Sequence, residues 1–197
     1  MKKLREDHFD RNKWNQKYRE KSITDFPPSA LFTDFSGKIP LAELPEGDVL
    51  ELACGVSGTA LKLARQGRRV LAADVSDVGL AQLSAEIEKR GLGDRIDLLQ
   101  ADLVSWSAPR RDFALVICSF YWDRTVFGYA HDLVMPGGIL AWEGFSPLHL
   151  KYKPDSKHAM GKDEPLSLLP KSFTVIECRD VDDGHAVSRR LIAKREP

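Results

Sequence analysis

Short, largely apolar runs separated by amphipathic stretches mark the chain from Asp48 onward. Val49–Ala53, Val70–Ala73, Ile96–Leu99, Phe113–Cys118 and Ile139–Trp142 are such runs. Their composition suits buried strands, since parallel strands are covered on both faces. Helical spacing fills the gaps. A helix is expected over Gly58–Gln66, ended by Gly67. Leu80, Leu83, Ser84 and Ile87 follow i, i+3, i+4, i+7 spacing, with Gly91 placed to stop that helix. Phe127, Ala130, His131 and Val134 repeat the spacing, behind Asp123 as an N-cap. Strand and helix in alternation predict a right-handed, doubly wound α/β sheet. The end of the chain breaks the rule. Phe173–Cys178 and Ala186–Ala193 are joined by the turn Asp182-Asp183-Gly184, a link that fits an antiparallel hairpin and not a parallel crossover. The sum is a Rossmann-like, seven-stranded, mostly parallel sheet with an antiparallel C-terminal strand.

Ahead of Asp48 the chain reads differently. Residues up to about Lys21 are dense in charge, with Leu4, Phe9, Trp14 and Tyr18 as the apolar exceptions. A helix puts Trp14 and Tyr18 on one face. Pro27, Pro28 and Pro40 indicate loop, with a short helix near Ser29–Phe35. We therefore expect one domain over 1–197: an N-terminal helical segment, 1–45, and an α/β core, 46–197.

Composition narrows the class. The 197 residues are 43% hydrophobic and 29% charged, enough to bury a core. Lys and Arg number 29 against 29 Asp and Glu, a balance that argues against nonspecific binding to nucleic acid. No apolar run approaches the ~20 residues of a membrane span, and no apolar segment follows the basic start as a signal peptide requires. Cys54, Cys118 and Cys178 show no metal-ligand spacing, and neither do His149 and His158. A reduced, cytoplasmic protein without a metal centre, membrane contact or nucleic-acid partner is the expectation.

Candidate chemistry begins at Asp48-Val-Leu-Glu-Leu-Ala-Cys-Gly-Val-Ser-Gly-Thr-Ala-Leu, where a strand runs into a turn of small residues and then a helix. Small side chains let a ligand reach backbone N–H groups and the positive end of the helix. Asp74 ends the next strand, ~20 residues on, where such folds place an acid for a ribose diol. The other role for Asp74 is to cap the following helix, for which Ser76 and Asp77 are better placed. Asp102, in Leu99-Gln-Ala-Asp-Leu, is suited to an adenine amino group or to a turn.

The ordered set VLELACGVSGTALKLA, LAADVS, LLQADL, FALVICSF and LVMPGGILAWEGFSP resembles the motifs of class I S-adenosylmethionine-dependent methyltransferases, over roughly residues 48–195. The stretch KWNQKYREK, the GFSP after the fifth strand and the tail VDDGHAVSRRLIAKR are similar to the small tellurite-resistance-like group, which methylates small molecules. The resemblance implies S-adenosylmethionine as cofactor. It implies Glu51, Ala53 and Gly55 along the methionine part, Asp74 and Val75 at the ribose, and Asp102 and Leu103 at adenine. Ser119 and Phe120 would follow the adenine edge, and Trp14 and Tyr18 would fold over the cofactor as a lid or dock the first helix. A nicotinamide-dependent dehydrogenase fits less well: Glu51 has no counterpart there, and GxGxxG is absent. Two positions depart from the family's glycines, Ala53 and Ser57.

Methyl transfer from a sulfonium needs no metal or covalent nucleophile, and a base only where the acceptor loses a proton. Tyr121, His149 and His185 are the candidates, each with an ordinary packing or surface role as alternative. Macromolecular acceptors are disfavoured by the Cys-Ser-Phe-Tyr-Trp-Asp end of the fourth strand, which lacks Pro-Pro-Tyr. Lys151, Lys153 and Lys157 suit an anionic acceptor or a solvated loop, and Trp122 and Trp142 an aromatic or thiol-bearing one. The reading is methyl transfer to a small molecule (a thiol, an oxyanion such as tellurite or selenite, or another small nucleophile), with a non-catalytic S-adenosylmethionine sensor as the alternative. Oligomeric state is left open.

Overall fold

A computed structural model describes residues 4–21, 23–108 and 110–197. Residues 1–3 of the expected N-terminal segment, with 22 and 109, lie outside the described residues. Two helices come first, α1 (Phe9–Glu20) and α2 (Ala30–Lys38). The core follows as β1 (Val49–Leu52), α3 (Gly58–Arg65), β2 (Val70–Asp74), α4 (Asp77–Lys89), β3 (Ile96–Gln100), β4 (Phe113–Ser119), α5 (Arg124–Ala130), β5 (Val134–Phe145), β6 (Phe173–Asp182) and β7 (Val187–Arg195).

The strands form one seven-stranded sheet in the order β3-β2-β1-β4-β5-β7-β6. The pairs β1–β2, β1–β4, β2–β3 and β4–β5 are parallel, and β7 is antiparallel to both β5 and β6. Apolar residues of α2, α3 and α4 bury one face, and those of α5 the other. The chain leaves β1 toward β2 and returns to β4 on its other side. Order reversal of this kind opens a crevice beyond the carboxyl ends of the strands, where ligands of such sheets bind.

The fold agrees with the architecture read from the pattern, with shifts at element ends. Asp123 does cap α5: its Oδ1 accepts from the Thr125 and Val126 amides at 2.8 and 3.0 Å. The helix does not reach Val134, however. It stops at Ala130, a 3₁₀ turn covers His131–Leu133, and Val134 starts β5 opposite Phe113. Pro136 holds the residue before it extended, which excludes a helix there. Val134 met the helical spacing because it is buried, not because it is helical. Ser29 caps α2 and is not its first residue; its Oγ accepts from the Phe32 amide. The segment between β5 and β6 holds two 3₁₀ turns, Pro147–Lys151 and Leu166–Leu168.

Trp142 shows how tightly the α5 face is filled. It is fully buried, edge-on to Phe127 and Trp122 at 5.2 and 6.3 Å, and its Nε1 donates to the Tyr121 carbonyl at 2.9 Å. Trp142→Ala should therefore cost about 3–5 kcal/mol of unfolding free energy, the usual range for such a truncation, as read from urea denaturation.

Candidate active site

At the end of β1 the backbone turns sharply. Ala53 and Gly55 take φ of 51° and 55°, a left-handed conformation that disfavours side chains with a Cβ. Ser57 then caps α3, its Oγ accepting from the Ala60 amide at 3.0 Å. The same hydroxyl donates to the Glu51 carboxylate, 2.8 and 2.7 Å from its two oxygens. Burial pushes the Glu51 carboxyl up to about 8, and the Ser57 bond offsets part of that rise. The serine in place of the family's glycine thus caps a helix and satisfies a buried acid.

Asp74 bridges two turns. Its Oδ2 accepts from the Gly55 amide and its Oδ1 from the Ser76 amide, each at 2.8 Å. Burial raises its pKa while these bonds oppose the rise. Ser76 is the cap of α4, accepting from the Gly79 amide at 3.0 Å. Asp77, the other cap candidate, instead binds the first helix: Arg11 approaches it at 2.7 and 3.1 Å and Asn15 Nδ2 at 2.8 Å. Those bonds hold the Asp77 carboxyl well below the usual range, the Arg11 bond most of all. Asn15 is 2% exposed and also takes the Ser76 hydroxyl, at 2.6 Å.

Helix α1 therefore lies across the strand ends. Trp14 and Tyr18 stack with centroids 6.1 Å apart. A Cβ at Gly55 would run into the Tyr18 hydroxyl, and one at Gly79 would sit 2.9 Å from its ring. Beneath the helix is a cavity of about 750 Å³. Trp14, Tyr18, Ala53, Asp74, Val75, Asp102, Leu103, Ser119, Phe120 and Tyr121 all line it, joining residues from five separate stretches of chain. Asp102 also makes the turn bonds of its alternative reading, accepting from the Val104 amide at 3.2 Å and the Ser105 hydroxyl at 2.8 Å. Glu51 and Gly55 lie just behind this wall, the first bound to Ser57 and the second beneath Tyr18.

The two candidate histidines, His149 and His185, fall elsewhere. His149 is 2% exposed, stacked on Phe145 at 4.2 Å, and its Nδ1 accepts from the Val187 amide; it does not border the cavity. His185 is exposed in the β6–β7 turn, also away from the cavity. Lys151 pairs with Asp182, and Lys153 and Lys157 are exposed; none of these three lines the cavity. Trp142 is core, whereas Trp122 borders the cavity. Residues not singled out beforehand join it: Lys13, Lys17, Lys21, Phe145 and His158. Spacing signalled the lysines, at i, i+4 and i+8 beside Trp14 and Tyr18. Contact through a parallel bridge between Phe145 and Ala159 brings in His158, and no spacing rule shows that. A more open hollow of about 590 Å³ over β6 and β7 holds none of the motif residues. Among the described residues, no group of three or more His, Cys, Asp or Glu is placed to hold a metal ion.

Residues 49–138 match the family described as "Methyltransferase domain". That stretch is similar to a methyltransferase domain. Magnesium protoporphyrin IX methyltransferase from Synechocystis PCC 6803, solved with bound S-adenosylhomocysteine, aligns with a TM-score of 0.73 over 95% of this chain and 98% of that one, at 16% identity. A methyltransferase from Clostridium acetobutylicum aligns at 0.67 over 94% and 99%, at 15% identity. A probable cobalt-precorrin-6B C(15)-methyltransferase (decarboxylating) from Methanothermobacter thermautotrophicus is 31% identical over 101 residues, 50% of this chain. The chain spans about half the length of that curated relative, 53%. The region matched by the family runs from β1 to the start of β5 and includes the Asp74 bridge, while α1 lies outside it.

Glu51 makes the domain's stability pH-dependent. Its carboxyl titrates from an ordinary 4.5 to about 8 on folding, so the folded state holds the extra proton. Stability should fall as pH rises from 4.5 toward 8 and level off above that. Asp74 acts in the same direction. Urea denaturation across that range should show a shallower slope for Glu51→Gln; an unchanged slope would assign the effect elsewhere.

Proposed function

We propose that this chain transfers a methyl group from S-adenosylmethionine to a small-molecule acceptor by direct in-line displacement. One observation carries the reading. Asp74–Val75, Asp102–Leu103 and Ser119–Phe120, the pairs that the resemblance gives to ribose, adenine and adenine edge, line one cavity at the ends of β2, β3 and β4. The donor set fits that cofactor: acids beside a diol, an amino group and a sulfonium, under two aromatic rings.

S-adenosylmethionine, when bound, supplies an activated methyl on a cationic sulfur whose departure leaves a neutral thioether. The chain's part is alignment and exclusion of water, worth roughly 7–11 kcal/mol at best. Asp74 uses two of its roughly four lone-pair sites on Gly55 and Ser76, leaving capacity for the ribose hydroxyls. Trp14 and Tyr18 cover the site from α1, and their faces suit a sulfonium by cation–π attraction. Tyr121 is the one of the three base candidates in the cavity wall, and burial raises its hydroxyl pKa, so it favours a donor's role over a base's. The tellurite-resistance-like resemblance supplies thiols, selenite and tellurite as first acceptors to assay. Size supports a small acceptor, because the cavity lies within the ~300–1,000 Å³ of sites for single small ligands and the cofactor fills much of it.

Calorimetric titration with S-adenosylmethionine tests the cofactor: micromolar binding is expected, and none at millimolar ligand would overturn the reading. Asp74→Ala should weaken binding tenfold or more. Release of S-adenosylhomocysteine with a panel of small acceptors separates the enzyme from a sensor, for which binding would occur without turnover on any acceptor.

A further inference from the structure

Among the described residues, His158 is the one histidine that lines the main cavity. Its place follows from the pairing around Phe145, the last residue of β5. One edge of Phe145 pairs with Ser188 of β7. Ala159 forms a parallel bridge to Phe145 and so takes the other edge, on the side of β4. Strand β4 itself has ended by then, its Ser119 lying opposite Glu143. Residues 158–160 therefore run where β4 would continue, just beyond its carboxyl end. That line lies two strand spacings, about 10 Å, from β2 and Asp74. A donor whose ribose sits at Asp74 has to deliver its methyl across that interval.

The segment is anchored on both sides of the histidine's neighbours. Met160 is 3% exposed, and its amide donates to the Phe145 carbonyl at 2.8 Å. The Gly161 amide donates to the Glu164 carboxylate at 2.7 Å, and Glu164 pairs with Arg124 of α5. Met160 and Trp122 both lie against Gly144, which has no Cβ to hold them off. His158 itself stays exposed on the cavity wall that Trp122, Gly144 and Phe145 share.

We propose that His158 is the general base of the transfer and that the acceptor is an aromatic compound carrying an O–H or S–H. The proposal rests on the methyl-transfer reading and narrows its acceptor to phenols and aromatic thiols. Imidazole exchanges protons near neutral pH, the capacity that such acceptors require and that an already ionised oxyanion does not. Trp122 and Phe145 offer a flat apolar body its surroundings. In the transfer, the acceptor's oxygen or sulfur forms the new bond to the methyl carbon. The bond from that carbon to the donor sulfur breaks, with its electron pair kept on the sulfur. The acceptor's proton passes to the His158 ring and from there to solvent.

Other titratable groups face the same cavity. Tyr121 and Asp123 follow β4, and Cys54, Asp74 and Asp102 stand at the other strand ends. Asp10, Lys13 and Lys17 of α1, with Lys21 and Asp25 after it, face them. Lys157 precedes His158 in its own segment. A pH effect is therefore assigned to His158 by its loss in a variant.

The test compares phenol and phenylmethanethiol, which must lose a proton, with 4-nitrothiophenol, which is already ionised at neutral pH. His158→Gln should lower kcat about a hundredfold or more for the first two, the usual scale for a general base, and less than tenfold for the third. With phenol, activity of the unaltered protein should fall as pH drops through the imidazole range, and this acid limb should be absent from His158→Gln. Two readouts do not depend on turnover. Phenol should shift the His158 ring resonances in proton NMR of the cofactor-free protein, and calorimetry should give phenol the same affinity in both proteins within about twofold. An equal loss of kcat for all three acceptors, an acid limb kept in the variant, unmoved ring resonances, or no turnover of either protonated acceptor would overturn the proposal. Failure of S-adenosylmethionine itself to bind would instead strike the functional reading.

Discussion

The Asp74 carboxylate holds the crevice together. One oxygen takes the Gly55 amide and the other the Ser76 amide, so a single buried acid joins the turn after β1 to the turn after β2. Both amides belong to tight turns whose donors have no strand or helix partner of their own, and leaving them unmet in the interior would be expensive. From Ser76 the connection continues through its hydroxyl to Asn15, and so to α1. Strand ends, helix cap and covering helix thus depend on one carboxylate. Its desolvation is tolerable because backbone dipoles surround it.

Much of this architecture was legible in the sequence because the central strands β1, β2 and β4 are largely apolar on both faces and the crossover helices are striped. The glycine turn, Asp74 and Asp102 could be placed by distance along the chain, since a βαβ unit has a nearly fixed length. What escaped was decided by contact between distant segments. Val134 satisfied helical spacing but belongs to β5, because Pro136 overrides a pattern that reports burial alone. His149 has the chemistry of a base but is buried behind Phe145, and the neighbouring loop delivers His158 to the cavity instead. The pairing of Asp77 with Arg11, 66 residues away, is likewise invisible to local spacing.

Electrical balance over the whole chain conceals sharp local organisation. Lysines of α1 face the cavity from above, while Asp74 and Asp102 face it from the strand ends. Ion pairs such as Arg190 with Glu143 and Asp34 sit under α2. Placed charges of this kind act over a few ångströms in a poorly solvated region, where they outweigh any long-range field.

Gly79 gives the covering helix a cost that composition does not show. It lies inside α4 with ordinary helical geometry, where alanine would favour the helix by about 1 kcal/mol. Its missing Cβ makes room for the Tyr18 ring, as the missing Cβ of Gly55 does for the Tyr18 hydroxyl. The two glycines together form a socket for one tyrosine. The domain gives up helix stability at Gly79 to seat α1 closely, so residues 18 and 79 should vary together: a homologue that loses the tyrosine is released from glycine at 79, while the left-handed turn at 55 still favours it.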